Sequence, residues 1–369
     1  MKRINRTKRL LLILASFLVT TACGLNNQDD QQQKKFSIEE ADNSLTHQNI
    51  IEVKELMLHQ IFDQTLFLVA DLMAVVEGKY DYNEIHRLLK MEIGDHVYKM
   101  VYGVPVVEMS GMYLPYDDIE LVLFKEDVYL PTSFLDKVLG MDVVLSNESI
   151  TFSKSYEGLM ASQSNLNGRL NEEMTVEEMI EYLSFLDKPI EGAQASTIPN
   201  HLPGAKRPYR NGYHEGIDWY PYSSGQHIST TTPVYAMADG IVVRADNNYD
   251  EYSSPQIRNK DLAVTSKLGE TPQYIFDRLR GRQVWVQYEK GVMIRFAHLD
   301  AIGDNIKVGN KVSKDTVIGY VGNSGTSGAV NGDGTQIHLH QDILIYGELF
   351  WKQYTPEQVK RIVLGIFGD

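Results

Sequence analysis

The 369-residue sequence contains a single cysteine, Cys23, so no disulfide can form within the chain. It is short of positive charge: 35 Lys and Arg stand against 49 Asp and Glu, leaving a formal charge of -14 and a pI near 5.2. On balance such a chain is repelled by nucleic acid and by anionic surfaces, so nucleic acid is excluded as a partner and any contact with an anionic wall must be local. It also lacks an apolar run long enough to span a bilayer comfortably. The stretch from Leu10 to Ala22 is too short for that.

That stretch follows Lys2, Arg3, Arg6, Lys8 and Arg9, the layout of an export signal. Beyond Cys23, residues 24–36 are rich in Asn, Asp and Gln without apolar periodicity and read as a solvated tether. The whole chain exceeds one ordinary domain, and its 43% hydrophobic content suffices for more than one core.

The densest chemistry lies near the C-terminus. In Ile337-His338-Leu339-His340, two imidazoles one residue apart on an extended segment point to one face of a sheet and can meet one ion. Upstream, His214-Glu215-Gly216-Ile217-Asp218 adds an imidazole and a carboxylate, and His298 follows in Phe296-Ala297-His298-Leu299. Neutral imidazole with carboxylate is a ligand set suited to zinc. The pentad is not the helical His-Glu-x-x-His motif: its fifth residue is Asp218, Gly216 interrupts it, and Ile217, Trp219, Tyr220 and Pro221 favour extended or turn structure. Glu215 is therefore not expected to be a general base.

The combination of His-x-x-x-Asp, an aromatic-Ala-His-Leu segment and His-x-His resembles the lysostaphin-type (LytM-like) zinc peptidases that cut peptidoglycan peptides. Thr232-Pro233-Val234-Tyr235-Ala236, Ala238-Asp239-Gly240-Ile241-Val242 and Val317–Gly325 resemble that family's strands and turns in the same order, over roughly 206–347. The resemblance implies one catalytic zinc held by His214, Asp218 and His340. It gives His298 and His338 the work on water, oxyanion and leaving amine, with peptidoglycan peptides as substrate. It also implies an all-β domain, a small antiparallel sandwich with an open groove, within a multidomain α+β chain. The alternative is a non-catalytic scaffold or activator of the same fold that binds wall or an envelope protein partner. Relatives of that type have usually lost ligands, which this chain keeps.

Val19-Thr20-Thr21-Ala22-Cys23 resembles a bacterial lipobox, with Thr20 where that box usually has Leu. The resemblance implies a signal peptide over 1–22, lipidation of Cys23, a tether over 23–50, and anchoring to the outer face of the cytoplasmic membrane, or to an outer membrane where the host has one. Apolar density from Ile51 to Val76 predicts a long helix. Residues 91–155 read as short strands and turns with one helix ending at Gly140, and resemble the small domain named after the N-terminus of copper amine oxidases. Nothing there implies copper, and the 51–155 region is expected to be a spacer or docking module. Residues 156–205 read as a linker with one helix capped by Thr175 and Glu178, and Pro189 to Pro208 as its loose end, leaving His201 solvated or close enough to occlude the site. A C-terminal helix closes the chain over 348–369. Between Asp246 and Gln283 an insertion with a helix over Pro272 to Arg280 is expected to border the groove as a removable lid, so that its replacement would spare zinc content and melting.

Overall fold

Residues Val53–Ile61 and Gln64–Leu68 pair as an antiparallel hairpin rather than continuing into a helix. The hinge is Phe62-Asp63, with φ of 48° and 62°, the left-handed pair that a two-residue hairpin turn requires. Only Val69–Val76 is helical, stopped by Glu77 at φ 56°. Density of apolar residues suggested the long helix; their alternation between a buried Leu56 and an exposed Met57 fits a strand. The computed structural model describes residues 53–153 and 174–368, which belong to one compact unit within Ile50–Asp369. The expectations for the signal segment, Cys23, the tether and residues 156–173 lie outside the described residues.

The upstream module is two antiparallel sheets of six and five strands around a core that includes Phe67, Leu72, Leu89, Met91, Leu130, Phe134 and Phe152. Its helix before Gly140 is a single π turn, Phe134–Val138. The strand Ser149–Ser153 closes the six-stranded sheet against Val53–Ile61.

The C-terminal part is built on a seven-stranded antiparallel sheet. Its order is Ile217–Trp219, Leu339–Ile345, Val292–Ala297, Val284–Tyr288, Gly240–Ala245, Lys311–Val312, with Glu348–Leu349 paired to Leu339–Ile345. A three-stranded sheet of Pro233–Tyr235, Val317–Tyr320 and Ala301–Ile302 accompanies it. The α+β architecture with mostly antiparallel sheets is as expected. The turn Glu289-Lys290-Gly291 closes the hairpin that leads to His298.

Strand alternation splits the large sheet into two faces. Val284, Val286, Val292, Ile294, Phe296, Leu339, Ile343 and Ile345 enter the main core. The helix Val176–Leu183 joins that core, capped by Thr175 and Glu178, and packs on the C-terminal helix Pro356–Phe367. So do Ile190, Ala193, Ala195 and Leu202, so the stretch expected to be a loose linker is packed structure. The opposite face carries Asp218, His340, Asp342, Arg295, Trp285, Met293 and Leu344.

The module docks on that second face. Val104, Val106 and Tyr113 form one apolar seam with Val243, Trp285, Met293 and Leu344, and the Tyr113 amide donates to Gln287 Oε1 at 3.0 Å. Gly111, at φ 86°, makes the approach possible: a Cβ there would lie 2.3 Å from the Tyr346 carbonyl oxygen. The module is thus neither a free spacer nor remote from the site.

Candidate metal centre

Register brings the donors together. Asp218 lies directly opposite His340 across the Ile217–Trp219 and Leu339–Ile345 pair, and Ala297 faces His340 from the other side, so His298 follows at once. His338 sits just before its strand, bridged to Gly322. His214 Nε2 is 2.9 Å from Asp218 Oδ1 and 3.1 Å from His340 Nδ1, which is itself 2.9 Å from Asp218 Oδ1. All three residues are buried, and their ligand atoms converge as one potential metal cluster. His338 Nε2 stands 3.6 Å from Asp218 Oδ1, and the His298 ring centroid is 4.7 Å from that of His338.

Each imidazole has an acceptor behind it that fixes its tautomer. Nδ1–H donates to a backbone carbonyl in three of them: His214 to Leu202 at 3.0 Å, His298 to Ser324 at 2.7 Å and His338 to Gln336 at 2.7 Å. A carbonyl can only accept, so Nε2 is left as the free lone pair. His340 is turned the other way: Nε2–H donates to Asp342 Oδ1 at 2.7 Å, and Nδ1 faces the cluster. Such outer partners orient metal-binding histidines and raise their basicity.

The charges agree with this division. Burial pushes His298 well below its ordinary value and His338 down to about 4, so both are neutral imidazoles at pH 7. Burial also disfavours charge on His340, but Asp342 and Asp218 overcome it and raise it to about 9. Burial alone would raise Asp218, yet His214 and His338 hold its carboxyl well below the usual range. A cation is therefore favoured at the point where His214, Asp218 and His340 meet.

Several residues here were not foreseen. Asp342, fully buried, receives His340 on one oxygen and the Arg280 Nε on the other at 2.9 Å. Tyr220 stacks on His338 with ring centroids 4.3 Å apart and 9° between planes, and Tyr222 stacks on Tyr220. Arg207 Nη2 lies 3.4 Å from Asp218 Oδ2. His201 is not a solvated linker histidine: it is buried, bonded to Ser196 and Tyr222, and forms part of the wall of a groove of about 640 Å³ over the cluster. Glu215 is paired with Arg210 Nη2 at 2.8 Å.

The insertion borders the groove through Arg258, Leu262, Phe276, Leu279 and Arg280, but it is not a detachable lid. It contains two helices, Pro255–Leu268 and Gln273–Arg280, of which only the second was expected. Ile275 and Thr265 are fully buried, Arg280 anchors Asp342, and the His298 amide donates to the Arg280 carbonyl at 2.8 Å. Replacing the insertion would therefore strip support from His298 and His340, contrary to the sequence expectation. Gly281, at φ 69° and ψ -144°, is the tightest point, since a Cβ there would lie 2.3 Å from the Ser324 carbonyl that holds His298. Gly281→Ala is expected to cost about 1–3 kcal/mol in backbone strain and to lower turnover further than the melting shift accounts for, with metal content retained. Unchanged turnover in this variant would refute the coupling.

Residues 212–350 match the model of peptidase family M23. The chain carries an M23 peptidase domain. A search of curated proteins gave no match. Among solved structures, that of LytU is 23% identical over 41% of this chain and 73% of its own, with a TM-score of 0.26. The lysostaphin catalytic domain from Staphylococcus simulans is 18% identical over 48% and 90%, TM-score 0.24, and a zinc-containing peptidase from Vibrio cholerae is 13% identical over 79% and 56%, TM-score 0.29. The assignment of the domain rests on the family match alone. The donor set of the M23 domain, two imidazoles and a carboxylate within mutual reach with each imidazole held from behind, fits zinc.

Proposed function

We propose that the M23 domain is a zinc-dependent endopeptidase that hydrolyses peptide bonds in peptidoglycan, carried on a chain anchored to the membrane through a lipid on Cys23 in the cell envelope. The observation that supports this best is the convergence of His214, Asp218 and His340 beside two imidazoles whose free Nε2 atoms belong to neutral rings. His214 Nε2, Asp218 Oδ1 and His340 Nδ1 would hold the ion. When bound, zinc lowers the pKa of water towards 7 and polarises a carbonyl.

The chain's own residues do the rest. His298 and His338 accept or share the water proton through Nε2, and in protonated form donate to the developing oxyanion or to the leaving amine. The stacked Tyr220 keeps His338 from rotating, as the Ser324 carbonyl does for His298. The full chain, loaded with zinc and incubated with intact peptidoglycan, is expected to release fragments with new amine and carboxylate termini within the peptides, read by mass analysis of the products. Tight wall binding without any new termini, at full zinc occupancy, would favour the scaffold reading instead.

A further inference from the structure

A second cavity, of about 300 Å³, lies on the same sheet face between the docked module, the inserted helix and the M23 sheet. Phe276 and Arg280 line both cavities and separate this one from the metal groove. One side is apolar, formed by Val104, Val106, Leu344 and Leu349.

Two arginines on this face share one carboxylate. Lys99 pairs with Glu108 at 2.8 Å, Lys352 with Glu348 at 2.6 Å, and Arg244 with both Asp246 and Asp277. Arg280 and Arg295 are left to share the single carboxylate of Asp342, which Arg280 holds at 2.9 Å and Arg295 Nη1 reaches only at 3.7 Å. Arg295 Nη2 donates to the Tyr113 hydroxyl at 3.3 Å, while its Nε is buried with no acceptor. It is the only guanidinium nitrogen among the buried, unpartnered side-chain atoms of the described residues. A buried charged donor without a partner is costly, and a carboxylate is its natural complement.

We propose that this cavity binds the free C-terminal carboxylate of a short peptide, with Arg295 as its anchor and the seam side chains receiving the terminal residue. Glu108 and Glu348 at the rim disfavour a phosphate dianion more than a monoanion. The volume accommodates one or two residues. The site does not require turnover, so it stands apart from the activity proposed above.

The test titrates Ala-Ala, its C-terminal amide, and acetate into the full zinc-loaded chain by calorimetry. The free acid is expected to bind roughly ten- to hundred-fold more tightly than the amide, the range for a charge-assisted hydrogen bond, and acetate more weakly than the dipeptide. Arg295→Met should abolish the difference between acid and amide, and Arg207→Met, which alters the metal groove instead, should preserve it. Leu349→Trp, which fills the cavity and leaves the arginine in place, should also abolish binding and guards against a misfolded Arg295 variant. Equal binding of acid and amide, no binding of either, or an acid preference that survives both cavity variants would overturn the proposal. Acid preference in a chain that cleaves no wall peptide would count against the endopeptidase reading and leave this site intact.

Discussion

His298→Ala and His338→Ala are each expected to lower turnover on peptidoglycan by about 10²–10⁴-fold, the usual contribution of a positioned acid or base, while zinc content stays at that of the unaltered chain. The separation follows from geometry: both rings stand beside the cluster, with His338 Nε2 at 3.6 Å from Asp218 Oδ1, and neither supplies an atom to it. Their Nδ1–H groups are committed to carbonyls, so removal leaves one unpaired carbonyl and a small gap, with no stranded charge. His298 occupies a left-handed backbone conformation at φ 59°, which an alanine there must also adopt, so its melting transition is to be recorded alongside. Metal analysis on the assayed sample decides the matter. If either variant lost zinc in proportion to activity, that residue would be a ligand.

His340→Ala has the larger effect on metal. The unaltered chain should carry about one zinc, the stoichiometry of a mononuclear site, and the variant should retain less than roughly a tenth of it after dialysis, because one of three protein donors is gone and binding is coupled to that donor set. Asp342 would lose its imidazole partner but keep Arg280 at 2.9 Å, so the sheet should remain folded. Circular dichroism then distinguishes lost metal from lost fold. Asp218→Ala should match it in zinc loss, and undiminished occupancy in His340→Ala would remove that residue from the centre.

The donor set was legible because its logic is local. His338 and His340 share a face by alternation, and the same rule carried one step further reaches Asp342. The pentad was read as extended from Gly216 and Ile217, and Asp218 does lie on a strand. Arg280 could not be read this way. It is 62 residues from Asp342, and an ion pair at that separation leaves no periodic trace in the sequence. The stretch from Pro189 to Pro208 misled for a different reason. Its Pro, Gly and Ser content describes a chain without regular structure, whereas Ile190, Ala193 and Leu202 are sparse apolar anchors that bury it all the same. Between Ile51 and Val76, counting apolar residues concealed the two-residue turn that makes a hairpin.

The docked module sets a limit on portability. A fragment beginning at residue 206, where the family resemblance starts, would uncover Trp285, Met293 and Leu344 on one face and strip the helix Val176–Leu183 from Pro356–Phe367 on the other. It would also discard Leu202, whose carbonyl orients His214. Such a fragment exposes a contiguous apolar surface of the kind that drives self-association, so an inactive or aggregated preparation of the excised domain would report on the cut and not on the intact chain. Transplanting the M23 domain into another protein would require carrying its upstream neighbour with it.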